Sequence, residues 1–151
     1  MEASKETLYF AYGSNTNMRQ MAYRCRGAKI IGRAKLHGFR LAYRRSYLTV
    51  LCRKDALTEG VVWSLRAKHV KALDRYEGYP LFYNKHIVSV DLEDDKKVDA
   101  LIYIAQPEFD RDYTLPSQRY IDTCTGGYKD CGVDNRQPEE AFKDICEIRQ
   151  Q

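Results

Sequence analysis

Residues 83–92, YNKHIVSVDL, and 98–105, VDALIYIA, flank the charged pentapeptide Glu93-Asp94-Asp95-Lys96-Lys97. Both runs are rich in β-branched and aromatic residues, so they read as the two strands of a hairpin with a charged tip. A link this short forces antiparallel pairing. Upstream, Leu36–Tyr43 alternates, with Phe39, Leu41 and Tyr43 on one side and Arg40 and Arg44 on the other, the pattern of a strand with one wet face. Leu48–Cys52 and Gly60–Leu65 read as two more strands, with Lys54-Asp55 near their connection. Leu8–Tyr12 reads as a short buried strand. The remaining segments have helical spacing. Met18, Met21, Ala22 and Cys25 fall at i, i+3, i+4 and i+7. Residues 67–76 place Val70 and Leu73 on one stripe, with Gly78 as a left-handed stop. Pro116-Ser117 precedes a helix holding Tyr120, Ile121 and Cys124, which Gly126-Gly127 or Gly132 interrupts or ends. A last helix starts at Pro138 with Phe142 and Ile145 inward. About six strands with short links, three or four helices and no strict βαβ alternation predict an α+β domain.

The chain has 151 residues, a length suited to one domain with its own core, here taken as residues 1–151. It shows no repeat and no low-complexity stretch. No apolar run approaches the roughly 18 residues of a spanning helix, and the start, MEASKETLYF, lacks a signal-peptide pattern. The five cysteines are scattered, no pair forms CxxC, and only His37, His69 and His86 could join them. Neither a zinc site nor a disulfide framework is expected, and a reducing, cytoplasmic setting follows. Net charge is +4, but residues 1–54 hold 12 basic and 2 acidic residues, against 13 and 19 in the rest. Three readings of that asymmetry are open: charges pairing across strands of one domain, a nucleic-acid face, or a positive field for a small anionic substrate. The basic residues lie between core-like ones and form no run, which favours the first.

Two segments could hold chemistry. In YFAYGSN, residues 9–15, a strand feeds Gly13 and the turn opens a helix. Free N–H groups at a helix start bind anions, and Gly13 lets a ligand approach the backbone. Ser14 and Asn15 read first as helix caps and second as part of such a site. The segment is no Walker loop. In LDRYEGYP, residues 73–80, Glu77 stands just before the helix stop among Tyr76, Tyr79, Leu81, Phe82 and Tyr83. The negative end of the helix and desolvation would both raise its pKa toward a range useful for proton transfer. The competing reading is a solvated surface glutamate. Asp74 reads as a solvated residue or a partner of Arg75. Tyr12, Tyr79, Tyr83 and Tyr120 could offer phenols to a ligand, although half-buried sheet tyrosines are the commoner case. His86 reads as structural, and no serine or cysteine sits in a nucleophile setting.

Together these segments resemble the γ-glutamylcyclotransferase family. The resemblance covers about residues 7–132 and rests on YFAYGSN (9–15), AKLHGFRLAYR (34–44), EGVVWSL (59–65), LDRYEGYP (73–80) with Tyr83 after it, and ALIYI (100–104). It implies a small closed, largely antiparallel β-barrel with flanking helices and a pocket at one end. It implies that Tyr12, Gly13, Ser14 and Asn15 bind the α-amino-acid end of a γ-glutamyl group, that Tyr83 and Tyr120 contact substrate, and that Glu77 is the general acid/base. The implied reaction forms 5-oxoproline without cofactor or metal. The implied partner is a small γ-glutamyl compound rather than a nucleic acid or membrane, acted on by a monomer or weak homodimer. Other classes are a binding module of the same fold without turnover and a nucleic-acid binder using the basic first third. The segment after Cys131 departs from the family pattern.

Overall fold

A computed structural model describes residues 5–151. The chain runs β1 (Thr7–Ala11), α1 (Met18–Arg24), β2 (Lys29–Arg44), β3 (Tyr47–Leu65), α2 (Ala67–Tyr76), β4 (Tyr83–Leu92), β5 (Lys97–Ala105), α3 (Gln118–Cys131) and α4 (Arg136–Arg149). The five strands close into a barrel in the order β1-β3-β2-β4-β5. Every pairing is antiparallel except β1 with β5, which close the barrel in parallel through Tyr9 and Leu101. The architecture is the expected α+β barrel with flanking helices, and the hairpin at 93–97 lies where the sequence places it.

The strand count differs from the expected six. Leu48–Cys52 and Gly60–Leu65 belong to one 19-residue strand, β3, and β2 starts at Lys29 rather than Leu36. The polar stretch Arg53-Lys54-Asp55 reads as a connection because it is exposed. Asp55 takes a φ of 68° and Gly38 opposite takes 85°, and the ladder shifts register between His37 and Phe39 and then resumes. Bulges of this kind bend a strand without ending it.

Three helix details also depart from expectation. Ser14 and Asn15 do not cap α1: they form a 3-10 turn, Ser14–Thr16, and Asn17 caps α1 by accepting from the Gln20 N–H at 3.1 Å. Helix α3 runs through Gly126-Gly127 and stops at Gly132, whose φ is 72°. Gly127 is there for close approach: a Cβ would stand 2.5 Å from the Asn17 nitrogen and 2.2 Å from Thr16 Oγ1. Helix α4 begins two residues before Pro138, which still lies in the first turn where no N–H is needed. Ile145 is buried, but Phe142 is at the margin, its ring edge-on to Tyr43 at 6.3 Å.

The core packs Phe10, Leu36 and Ile102 on one face of the barrel wall and Val61 and Leu65 on the other, and α3 adds Tyr128. The basic first third meets the acidic remainder in ion pairs, Arg33 with Glu93 at 2.6 Å and Arg40 with Asp144, and His37 Nε2 lies 3.1 Å from the Asp91 carboxylate. Among the described residues, no helix is long and apolar enough to cross a membrane.

Candidate active site

A cleft of about 310 Å³ opens where β1 ends, β3 and β4 begin and α2 stops. Seven of the residues singled out from the sequence line it: Tyr12, Gly13, Ser14, Asn15, Glu77, Tyr83 and Tyr120. Tyr79 is not brought there. It is exposed, with the Lys85 ammonium 4.3 Å above its ring.

The turn after β1 is held from behind. Tyr128 donates to the Tyr12 carbonyl at 2.6 Å, Trp63 Nε1 to the Asn15 carbonyl at 2.9 Å, and the Thr16 N–H to the Gly13 carbonyl at 3.1 Å. The Tyr12 hydroxyl donates to the Tyr103 carbonyl at 2.5 Å. Asn15 Nδ2 donates to Tyr9, and Arg24 donates to Asn15 Oδ1 at 2.6 Å and Ser14 Oγ at 3.1 Å. The carbonyls and polar side chains of the turn are therefore occupied. Its N–H groups are not: among the described residues, those of Gly13, Ser14 and Asn15 donate to no protein acceptor. Backbone donors in a folded protein are normally paired, so three unpaired ones beside a cleft are available to an anion or a carbonyl oxygen.

Glu77 is the C-cap of α2. Its N–H closes the helix on the Leu73 carbonyl at 2.8 Å, and Gly78 takes a φ of 65° to turn the chain away. Gly78 also faces the Phe82 ring, which a Cβ would meet at 2.5 Å. No hydrogen bond reaches the Glu77 carboxyl among the described residues. Burial raises its pKa from 4.5 to about 7, while Arg24 and Arg45 oppose the shift. This carboxyl gives up or takes a proton near neutrality. Asp74, three residues earlier, is not its competitor and is not solvated or paired to Arg75. It accepts from the Tyr103 hydroxyl at 2.6 Å and from Lys85 at 3.0 Å.

The two other tyrosines meet at Leu48. Tyr83 donates to the Leu48 carbonyl at 2.9 Å, and Tyr120 accepts from the Leu48 N–H at 3.1 Å. Tyr83 has thus committed its proton and presents lone pairs to the cleft. Tyr120 has committed a lone pair and keeps an O–H to donate. Ser117 fixes the position of Tyr120 by capping α3, its hydroxyl accepting from the Tyr120 N–H at 3.1 Å.

Sequence reading gave no ligand-site role to five other residues at the cleft or bracing it. Tyr9 and Tyr103 pack edge to face across the β1–β5 seam at 5.9 Å. Both stand on the same face of the sheet, but only the parallel seam, invisible in the sequence, brings them together. Arg24 lies 3.3 Å over the Tyr76 ring, and Tyr76 in turn comes within 3.4 Å of Ser14 Oγ. Arg45 sits at the tip of the β2–β3 hairpin. Neither arginine has a local sequence signature.

A closed five-stranded barrel with flanking helices is the fold of the γ-glutamyl cyclotransferases. A solved γ-glutamyl cyclotransferase superposes with a TM-score of 0.77 at 23% identity, covering 91% of this chain and 86% of its own. An uncharacterised human protein also gives 0.77, at 22% identity, over 97% of this chain and 99% of its own. A yeast γ-glutamyl cyclotransferase specific to glutathione gives 0.63 at 10% identity, over 96% and 97%. A search of curated protein sequences yields no match. The family model described as γ-glutamyl cyclotransferase, AIG2-like, matches residues 9–122, and the chain belongs to that family.

Proposed function

We propose that the protein cyclises a γ-glutamyl amide to 5-oxoproline and releases the amine or amino acid. The observation that carries this reading is Glu77, an acid with a pKa near 7 and no protein hydrogen bond, sharing one cleft with the unpaired N–H groups of Gly13, Ser14 and Asn15. The substrate's α-ammonium gives one proton to Glu77. The freed nitrogen attacks the γ-carbonyl carbon of the same molecule and closes a five-membered ring. The oxyanion that forms is stabilised by N–H donors of the turn. As the γ-carbon–nitrogen bond breaks, Glu77 returns its proton to the leaving nitrogen, and the second ammonium proton passes from the ring nitrogen to the released amine. Protons balance, and no external nucleophile enters.

Because attack is intramolecular, the main requirement is a folded reactive conformer, and orientation can supply several kcal/mol. The braced turn, the donating Tyr120 and the accepting Tyr83 suit that role. Glu77 must be ionised to begin, and a pKa near 7 leaves a usable ionised fraction at neutral pH with a conjugate acid strong enough to protonate the leaving group. The test is 5-oxoproline release from γ-glutamylalanine by the wild type and by Glu77→Gln. The variant should retain less than a tenth of the rate; a higher residual rate removes less than about 1.4 kcal/mol of barrier and ends the acid/base assignment.

A further inference from the structure

Among the described residues, Glu77 is the only carboxylate lining the cleft, whereas two guanidinium-bearing residues, Arg45 and Arg75, line it as well. Arg24 stands just behind and is committed to Ser14 and Asn15. A γ-glutamyl head group has one ammonium and one carboxylate, so it leaves the local charge unchanged. With Glu77 ionised, the lining holds one positive charge more than the head group can match.

Arg45 is the better placed of the two arginines to use that charge. It is half-buried, yet its guanidinium forms no hydrogen bond or ion pair among the described residues. The nearby Asp112 carboxylate is taken by Thr114, through the N–H at 3.2 Å and the hydroxyl at 2.6 Å. The guanidinium is nevertheless held in place. It stacks 4.1 Å over Phe82, with the rings of Tyr47 and Phe109 at 5.0 and 5.3 Å. Its backbone is fixed as well. Arg45 and Ser46 are the two central residues of the hairpin turn, with φ of 52° and 70°, a conformation that non-glycine residues rarely adopt. The turn is tied to the 110–114 segment by the Arg45 N–H to the Asp112 carbonyl at 2.8 Å and the Ser46 N–H to the Thr114 carbonyl at 3.0 Å. A strained turn anchored in this way places a planar, unmatched donor at the cleft, the form suited to gripping a carboxylate.

We propose that Arg45 is a specificity-determining residue: it pairs with a carboxylate on the leaving half, so the preferred substrates are γ-glutamyl derivatives of amino acids rather than of plain amines. This rests on the cyclisation reading above. The matched probes are γ-glutamylalanine and γ-glutamylethylamide, which differ only by the leaving-group carboxylate. The wild type should favour the alanine compound in kcat/KM by about 30-fold, the range of a charge-assisted hydrogen bond. Arg45→Gln should bring the ratio to within about threefold, and Arg45→Lys should restore part of it by charge without the fork. Equal losses on both compounds would place Arg45 on the shared γ-glutamyl head or in the fold and overturn the claim, as would a wild type with no preference. If the wild type converts neither compound, the cyclisation reading fails separately. Calorimetric binding of the same pair to wild type and Arg45→Gln then decides the Arg45 claim by whether the preference exists and disappears.

Discussion

Strand β4 begins at one hollow and ends at another. Tyr83 lines the cleft of about 310 Å³, and Leu92 lines a second concavity of about 510 Å³ bounded by Arg33, His37, Asp91 and Glu93. The second is larger and richer in charge. Two of its acids, Asp91 and Glu93, are however matched: Lys97 donates to Asp91 and Arg33 to Glu93, and both carboxyls are held below their usual range by those bonds. At the first, one acid has no such partner and burial drives its pKa upward. Neither hollow size nor charge count marks a reactive site. A group whose chemistry the protein leaves unspent does.

That contrast breaks most sharply under parallel substitutions. Glu77→Gln should lower 5-oxoproline formation by 10² to 10⁴-fold, the usual contribution of a positioned acid/base, while Glu93→Gln should leave kcat/KM unchanged. Similar effects from the two would erase the distinction. The next effect is on stability. The folded pKa of Glu77 lies above its unfolded value of 4.5, so the native state binds the extra proton between pH 4.5 and about 7. Stability therefore falls as pH rises through that window. Glu77→Gln escapes the penalty and should be the more stable protein at pH 8, by about 2 kcal/mol after allowing for the carboxyl's remaining contact with solvent. The gap should vanish near pH 4, as followed by urea unfolding. The same pKa requires kcat/KM of the wild type to fall about tenfold per pH unit below about 7.

A smaller effect sharpens the other half of the site. A Cβ at Gly13 would stand 3.1 Å from the Tyr120 hydroxyl and 3.6 Å from Leu48 Cβ. Gly13→Val should therefore raise KM about tenfold or more with less effect on kcat, and unchanged kinetics would move the ligand elsewhere. Breaking the exposed Arg33–Glu93 pair by Arg33→Met should leave the melting temperature close to that of the wild type, because solvent screens such pairs.

Much of this was legible in the sequence where local pattern and tertiary use agree. The 83–105 hairpin is short-linked and alternating, and α2 stops at Gly78, where a left-handed residue was required. Reading failed where a residue's local signal opposes its role. Arg53-Lys54-Asp55 looks like a loop because β3 runs past the barrel into solvent there. Gly126-Gly127 looks like a helix end because the contact that needs a missing Cβ, against Thr16 and Asn17, comes from a segment over a hundred residues away. The cleft followed the same division. Gly13 and Glu77 stand beside turn signals that the sequence displays. Arg45 and Tyr103 reach the cleft, and Arg24 the turn beside it, only through the closure of the barrel and the docking of α1 and the β2–β3 turn.

The most direct measurement is the carboxyl titration of Glu77 by ¹³C NMR on glutamate-labelled protein, assigned by its loss in Glu77→Gln, with the Glu93 resonance as internal comparison. The account predicts a midpoint near 7 for Glu77 and one below 4.5 for Glu93. A Glu77 midpoint at or below 4.5 would contradict it.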